Sequence, residues 1–434
     1  MDGFLTYFTR LKIPGPDVVR HIRRFWLASR RVGNVGEVLS FIMREVTQRL
    51  YPYQVRNRSI RFTDHTCLSI TSATADVLTS TFLTENGLCF RAVGIDWKFC
   101  LPTSDGLWWG SRYTHPNALY RSDDQSQSAV LMYEFSHPIT SLFISRQNVL
   151  FVCSNGIVYK GDQPGIFFKP VLQLSSPMSY FLFNNGMTEL PDGTLIIGEY
   201  SSDQQGQSWQ NLAYLYYSTD GGRSWEISDF FIRQGVNKRI YLVKYSSLLK
   251  AVLLTDGDHK KQLWMNPALG DFKAKTGYQK TGWCLLTPYH HQTGGYRSMA
   301  ETGEGVLLGS DYPGGTNFIV KTADGKRFEK LVLPDPYRRS PVINIMGRQS
   351  AGGPEIWAAS YSCLSDQARS LLMCTQDGGK SWVRVIDVDG TKHEVRLVSS
   401  SPDLYIAVTE LGSDGSNHQH RVYKLESINP HRQR

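Results

Sequence analysis

The sequence predicts an all-β fold: a β-propeller of seven blades, with six or eight as the alternatives, preceded by an N-terminal α-helical segment. Apolar strands recur about every 50 residues, which is the repeat length of propeller blades. An Asp-Gly turn motif follows several of these strands, and aromatic residues make up 12% of a chain that contains 38 glycines. The expected division is a basic helical segment over residues 1–57 and the propeller over residues 58–434.

The N-terminal segment carries the charge imbalance of the whole chain. Residues 1–61 contain 12 basic and four acidic residues, which accounts for the formal net charge of +8. Apolar residues at helical spacing predict one helix over 17–31 and a second over about 36–50. A basic amphipathic segment at 17–50 fits an anionic membrane surface or an acidic partner, and helices packed on the propeller with solvated arginines are the alternative. Nucleic acid is not favoured as a partner, because no recognisable binding module accompanies the arginines.

The remaining composition indicates a cytoplasmic protein, with contact to the inner membrane surface as a further expectation. The seven cysteines lack motif spacing and are expected to be free thiols. Apolar runs fall far short of the roughly 20 residues that span a bilayer, and the start of the chain lacks the order of a signal peptide. No cofactor is expected, and no metal motif is found, although Asp256 and Asp258 around Gly257 could hold a cation.

One apolar strand marks each predicted blade. These strands are 107–110, 149–152, 194–198, 251–254, 306–309, 355–359 and 404–407. The last unit ends at 422–425, one strand short of a quartet, and we expect 59–62 to supply that strand and close the ring. The best internal match aligns 107–113 with 306–312, and it pairs Phe90-Arg91 with Tyr296-Arg297.

A turn motif recurs after the apolar strands. Ser218-Thr219-Asp220-Gly221-Gly222-Arg223-Ser224-Trp225 is matched by 375–382 and, with Phe328 in place of tryptophan, by 322–328. Asp-Gly-Gly favours a tight turn because Asp bonds its own backbone and Gly accepts a positive φ. The motif resembles the Asp-box, S/T-x-D-x-G-x-S/T-W, of sialidase-like (BNR-repeat) β-propeller proteins. The resemblance implies a propeller over about 85–434 in which these turns are structural.

The resemblance also offers a catalytic template, an arginine cluster with a Tyr nucleophile and an Asp acid. The sequence departs from it near the start, where 90–93 keeps only Phe90 and Arg91 of the Phe-Arg-Ile-Pro motif. Sialidase activity itself is therefore not predicted.

Blade topology brings one set of loops to the mouth of the central axis, opposite the Asp-Gly turns. They are the loops after each second strand and before each first strand, and they are rich in Asn, Tyr, Arg and carboxylates, which suit an acidic sugar. The catalytic candidates are Glu199, Asp311, Tyr312 and Arg297. The substrate-binding candidates are Arg91, Arg112, Tyr113, His115, Asn185, Tyr200, Asp256, Arg239, His291, Asn317 and Tyr361.

These residues predict a carbohydrate-active enzyme that cleaves an acidic poly- or oligosaccharide. For hydrolysis, Glu199 and Asp311 are the two carboxyl groups that flank the bond. For β-elimination of a uronic acid, arginine neutralises the carboxylate and Tyr or His removes the α-proton; Arg112, Arg297, Tyr113, Tyr312 and His115 fit these roles. The alternative is a non-catalytic propeller that binds glycan or protein in polysaccharide biosynthesis.

Overall fold

A computed structural model of the chain describes residues 88–426 with short gaps, and before them 55–63, 68–70, 81–83 and the single residues Trp26, Leu27 and Arg30. The gaps are 124–127, 163–166, 202–203, 206–207, 210–211, 235, 237–238, 258–261, 275–281, 288–294, 313–314, 351, 362–368, 401–402 and 412–417. The predicted N-terminal helices therefore lie outside the described residues, apart from three exposed helical residues. Among the residues described, none of the helices has the length and hydropathy that crossing a bilayer requires.

The described residues form a β-propeller of seven blades, and the predicted blade count is confirmed. The strands, from first to fourth, are Trp97–Pro102, Trp108–Arg112, Ala118–Ser122 and Val130–Glu134 in blade 1; Ile139–Ile144, Leu150–Ser154, Ile157–Asp162 and Phe167–Gln173 in blade 2; Met187–Glu189, Leu195–Gly198, Leu215–Ser218 and Glu226–Ser228 in blade 3; Ile240–Ser246, Ala251–Asp256, Leu263–Asn266 and Cys284–Thr287 in blade 4; Gly295–Thr302, Gly305–Asp311, Phe318–Thr322 and Phe328–Val332 in blade 5; Val342–Ser350, Gly353–Ser360, Arg369–Thr375 and Val383–Asp389 in blade 6; and His393–Ser399, Tyr405–Glu410, Gln419–Glu426 and Cys89–Val93 in blade 7. Smaller elements are the hairpin Gln204–Gln205 with Ser208–Trp209, the one-turn helix Phe230–Arg233 and the 3-10 turn Tyr337–Arg339.

The core lies between neighbouring blades. Second strands such as Leu150–Ser154 and Ala251–Asp256 are buried at every residue, because both faces of each sheet pack on another sheet. This double burial explains why the sequence shows continuous apolar runs there rather than alternation. One cluster joins Trp357 of blade 6 to Leu397 and Tyr423 of blade 7.

The ring closes through a different strand from the one predicted. Cys89–Val93 pairs antiparallel with Gln419–Glu426 as the fourth strand of blade 7. The expected segment runs elsewhere: Val55–Ser59 pairs in parallel with blade 5, and Phe62 makes a parallel bridge to Trp382 of blade 6. The prediction for 59–62 was wrong because the open edges of blades 5, 6 and 7 each accept a short strand from the N-terminal part of the chain, and sequence does not rank these edges.

The chain before the ring adds a fifth strand to three consecutive blades. Val55–Ser59 extends blade 5, Leu68–Ile70 extends blade 6 in parallel, and Thr81–Leu83 extends blade 7 antiparallel to Cys89–Val93. The N-terminal part of the described chain therefore covers three outer edges in turn before it enters the ring, which protects those edges from other strands.

The first Asp-Gly turn joins the third and fourth strands of blade 3, as predicted. Ser218 Oγ donates to Asp220 Oδ1 at 2.8 Å and accepts from the Gly222 amide at 2.8 Å. Ser224 Oγ donates to Asp220 Oδ2 at 2.6 Å. Gly221 and Gly222 have φ values of 71° and 81°, a region that side chains with a Cβ rarely adopt.

The second turn, in blade 6, repeats this hydrogen bonding. Thr375 Oγ1 and Ser381 Oγ donate to the Asp377 carboxylate at 2.8 and 2.5 Å. Burial acts to raise the pKa of Asp377, but the hydrogen bonds from Ser381 and Thr375 outweigh it and lower the pKa to about 2. The degenerate copy in blade 5 keeps the backbone part, since Asp324 accepts from the amides of Lys326 and Arg327 at 2.8 Å. The carboxylates of Asp220, Asp377 and Asp324 are therefore engaged in the hydrogen bonds that hold these turns.

Candidate functional site

Bulges re-aim side chains at the axial mouth of the propeller. In the described parts of blades 1, 2, 4, 5 and 6, the pairing of the first strand with the second skips one residue near the end of the second strand. The skipped residues are Lys98, Thr140, Tyr241, Arg297 and Ile343. A bulge turns the extra residue out of the ladder and is often found beside binding sites. Three of the five side chains are large and polar.

Three tyrosines from blades 3 and 4 lie together at this mouth. Tyr180 precedes the first strand of blade 3, Tyr200 follows its second strand, and their backbones pair, with N···O distances of 2.9 and 2.7 Å. The Tyr180 and Tyr200 rings are 4.9 Å apart, and the Tyr200 and Tyr241 rings are 5.6 Å apart with only 25° between their planes. Tyr200 and Tyr241 are buried, so their rings form a fixed surface.

Arg239 rests on this surface. Its Nη1 donates to Tyr200 Oη at 2.8 Å, and its guanidinium carbon is 4.9 Å from the Tyr200 ring centre and 5.9 Å from that of Tyr241. Both distances fit cation–π contacts. The stacking fixes the plane of the guanidinium group.

Arg297 is the second cation of the cluster. Its Nη1 is 3.6 Å from Asp311 Oδ2, and the side chains are 34% and 9% exposed. That separation exceeds a hydrogen bond, so the ion pair leaves the guanidinium available to solvent. Burial acts to lower the pKa of Arg297, but Asp311 and the hydroxyls of Tyr200, Tyr241 and Tyr180 outweigh it, and the pKa is raised.

We call these five residues, Tyr180, Tyr200, Tyr241, Arg239 and Arg297, the arginine–tyrosine cluster. Burial is the main cause of a raised pKa for Tyr180, followed by Tyr200. Its hydroxyl therefore stays protonated at neutral pH and serves as a donor rather than a base. Two guanidinium groups beside aromatic faces can hold a carboxylate, sulfate or phosphate with a ring attached.

Glu199 does not open on this mouth, where it was predicted to act with Asp311. The residue is 0% exposed. Tyr216 Oη donates to Oε2 at 2.9 Å, and the Ser175 amide donates to Oε1 at 3.2 Å, joined by the Ser175 hydroxyl. Glu199 thus ties the loop before blade 3 to the third strand of that blade. Burial raises its pKa, against the opposing effect of these hydrogen bonds.

Replacing Glu199 by glutamine is expected to change the pH dependence of stability and not ligand binding. The raised pKa means that the folded protein holds this proton more tightly than the unfolded chain. The resulting stability is present below the ordinary pKa of 4.5 and is lost as pH rises through the folded pKa. Urea unfolding over a pH series should show that loss in the wild type and not in Glu199→Gln. If Glu199→Gln folds but no longer binds an acidic ligand, Glu199 takes part in ligand binding after all.

Two other predicted residues belong to a cluster at the junction of blades 7 and 1. Tyr113 stacks on His420 with ring centres 3.6 Å apart and 5° between the planes, and Arg396 donates to the Tyr113 hydroxyl. Arg112 is paired with Asp96 at 2.6 Å. His115 is exposed beside Thr114 Oγ1, at 3.2 Å.

Several predicted ligand contacts shape loops instead. Asn317 is 0% exposed; it accepts from Ser310 Oγ and the Tyr312 amide, and it donates to the Tyr312 carbonyl, at 2.9–3.0 Å. Asp256, also 0% exposed, accepts from the Gln262 amide. Buried hydrogen-bonded groups of this kind explain why polar residues follow apolar strands.

The other candidates are placed as follows. Asn185 is 2% exposed. Tyr361 is half-buried, and its amide donates to the Pro341 carbonyl at 3.0 Å. Asp258 and His291 lie outside the described residues, and no group of three metal-ligating side chains forms in the part of the chain that is described.

Arg91 lies on the outer rim, and its expected place at the mouth was wrong. It stands in Cys89–Val93, the outermost strand of the blade 7 quartet, and its Nε pairs with Glu426 Oε1 at 2.9 Å, with side chains 47% and 37% exposed. Aligning Phe90-Arg91 with Tyr296-Arg297 matched a fourth strand to a first strand.

Sequence reasoning passed over Lys98, although the spacing contained the signal. Lys98 lies nine positions before Leu107, and Arg297 lies nine positions before Val306, the aligned position of the repeat. Counting along the repeat therefore identifies Lys98 as the blade 1 equivalent of Arg297. Tyr180 carried no comparable signal, because its loop follows no repeat.

A hollow of about 270 Å³ lies on the opposite face, between blades 3 and 4. Its lining includes Tyr217, Thr219, Phe272 and Lys273. Lys273 pairs with Glu226 at 2.8 Å, so this face offers a neutralised cation. The mouth is the more suitable place for an anion.

Comparison with solved structures finds the same fold in other proteins. The chain is similar to streptogramin B lyase, with a TM-score of 0.50 and 13% identity over 78% of this chain and 97% of that one. It is also similar to a catalytically inactive variant of virginiamycin B lyase from Staphylococcus aureus with quinupristin, with a TM-score of 0.50 and 13% identity over 79% of this chain and 99% of the other. No protein-family model matches the chain, and no curated protein matches it in sequence. At such low identity the likeness shows a β-propeller and nothing finer.

Proposed function

We propose that this chain binds an acidic carbohydrate at the axial mouth of its propeller, with the arginine–tyrosine cluster holding a carboxylate of the sugar. The observation that carries the proposal is Arg297, a bulge residue whose side chain is one-third exposed and whose Nη1 stands 3.6 Å from its carboxylate partner. At that distance Asp311 takes no hydrogen bond from Nη1.

Charge favours an anionic ligand. Arg239 and Arg297 bring two guanidinium groups to the cluster, and Asp311 is the carboxylate that Arg297 meets. Partly desolvated cations interact strongly with an incoming anion because the local dielectric is low. A carboxylate can take two parallel N–H···O bonds from one guanidinium, which adds orientation to affinity.

The tyrosines favour a sugar over a simple ion. The half-buried Tyr180 ring offers apolar surface for the face of a pyranose, and its hydroxyl stays protonated as a donor for sugar oxygens. The resemblance of the turns to those of sialidase-like propellers is consistent with an acidic sugar, although it concerns the scaffold.

Binding accounts for the geometry better than cleavage does. Hydrolysis needs two carboxyl groups on either side of the glycosidic bond, and Glu199 is sealed while Asp311 is paired with Arg297. Elimination needs a base beside the arginines, and burial keeps the Tyr180 hydroxyl protonated. A ring of this shape does host a lyase in another protein, so turnover is measured as a separate outcome.

A panel of glycans tests the proposal. Oligogalacturonate and oligoglucuronate are compared with neutral oligosaccharides of equal length by isothermal titration calorimetry, at two ionic strengths. We expect binding of the uronates that weakens with salt, and none of the neutral sugars. Equal binding of both classes, or of neither, overturns the proposal. Ultraviolet absorbance of unsaturated uronates and new reducing ends are recorded in parallel. Both signals together would show that the protein is a lyase, and reducing ends alone would show that it is a hydrolase.

A further inference from the structure

We infer that Lys98 is a further anion-binding residue of the same mouth, and that the ligand is an oligomer with at least two acidic groups, one held at blade 5 and one at blade 1. The inference rests on the proposed function and extends it. It identifies the substrate class as a polymer of acidic sugars rather than one acidic sugar.

Lys98 and Arg297 occupy equivalent places in two blades. Each is the residue skipped in the pairing of a first strand with a second: Trp97 and Phe99 pair with Arg112 and Ser111, and Tyr296 and Ser298 pair with Ser310 and Gly309. In both blades the skipped residue lies near the start of the first strand, opposite the end of the second, where a bulge turns a side chain out of the ladder. Blades 1 and 5 are separated by blades 6 and 7, so the two cations stand well apart around the ring.

Lys98 has a hydrogen-bond partner but no counter-ion among the residues described. Its Nζ donates to the Ile139 carbonyl of blade 2 at 2.9 Å, and the ion pairs of the described chain do not include it. Burial is the main cause of a lowered pKa, and Arg396 adds to it. An ammonium group in this setting gains from an anion that enters beside it.

The surroundings of Lys98 repeat the chemistry of the arginine–tyrosine cluster. Arg396, on the first strand of blade 7, lies 5.6 Å from the centre of the Tyr113 ring and pairs with Glu394 at 3.4 Å. The charges of Arg112 and Asp96 compensate each other in an ion pair, with Nε and Oδ1 2.6 Å apart. The mouth therefore presents cations beside aromatic faces at two separate places.

One acidic group cannot contact both places, whereas an oligomer can. A ligand with two anions gains from the second contact at a small further entropic cost, because the first contact has already located it. A single uronic acid would use the arginine–tyrosine cluster and leave Lys98 unoccupied.

The test compares a monomer with an oligomer in matched variants. Galacturonic acid and oligogalacturonate are titrated into the wild type, Lys98→Met, Arg297→Met and Lys321→Met. Lys321 is the control because it also donates to a backbone carbonyl, of Gly378 at 2.8 Å, but near the Asp-Gly turns of the opposite face. Lys98→Gln, which keeps a donor for the Ile139 carbonyl and loses the charge, replaces Lys98→Met if thermal unfolding shows that the latter is not folded.

Loss of Lys98 is expected to weaken oligomer binding about tenfold and to leave monomer binding within about twofold, while Lys321→Met changes neither. If Lys98→Met binds the oligomer as the wild type does while Arg297→Met has lost it, the inference fails and the proposed function stands. If the wild type binds neither sugar, both fail.

Discussion

Replacing Arg297 by methionine is expected to weaken binding of oligogalacturonate at least about thirtyfold. The ligand carboxylate would lose its charge-assisted hydrogen bonds and meet Asp311 without the cation between them. Removing one partner of a partly buried charge pair costs about 2–5 kcal/mol, and each 1.4 kcal/mol is about a tenfold change in affinity. Titration calorimetry at one fixed ionic strength measures the change.

Arg91 provides the matched control for this substitution. Arg91→Met makes the same chemical change on the outer rim, where the side chain is 47% exposed and pairs with Glu426. We expect it to alter affinity less than about twofold, because exposed ion pairs contribute little. The affinity of Arg297→Lys should fall between those of the wild type and Arg297→Met, since lysine keeps the charge and loses the planar pair of donors. Equal losses in Arg91→Met and Arg297→Met would mean that net charge alone attracts the ligand.

Replacing Trp382 by alanine is expected to lower the free energy of unfolding by about 3–5 kcal/mol, the range for a large aromatic side chain removed from a core. Trp382 is 0% exposed and belongs to a core cluster with Ile60, Leu331 and Met373. The cavity would lie where the turn of blade 6 meets the N-terminal part of the chain, whose Arg61 carbonyl accepts from the Trp382 amide at 2.9 Å. Denaturant unfolding measures the loss.

Trp225, at the same position of the blade 3 turn, is the control for Trp382. It is half-buried and meets Phe151 edge to face, with ring centres 6.4 Å apart. Trp225→Ala should therefore cost about half as much, because less apolar surface is exposed to water on its removal. Equal losses of unfolding free energy in Trp382→Ala and Trp225→Ala would mean that the position in the turn, and not the burial of the tryptophan, determines the loss.

The scaffold was predictable because its signals are local. Each of the seven predicted apolar strands falls on the second strand of a blade, as 149–152 does on Leu150–Ser154 and 404–407 does on Tyr405–Glu410. A strand buried on both faces is mostly apolar, whatever its neighbours are. The Asp-Gly turns were readable for the same reason, since their hydrogen bonds join residues at most four apart.

The site was less predictable because its contacts are distant in sequence. Glu199 ends an apolar strand, and only its bonds to Ser175 and Tyr216 decide that it faces the interior. Lys98 was missed because Phe90-Arg91 was aligned with Tyr296-Arg297, on an aromatic residue followed by arginine rather than on spacing. The strand that closes the ring was missed because three blade edges competed for similar segments.

A crystal structure of the chain with oligogalacturonate bound is the most direct measurement of where an acidic sugar binds. We expect a carboxylate within hydrogen-bonding distance of the Arg297 guanidinium, with a sugar ring against Tyr180. Density for the sugar in the hollow lined by Tyr217 and Lys273 on the opposite face, with the arginine–tyrosine cluster unoccupied, would contradict the proposed site.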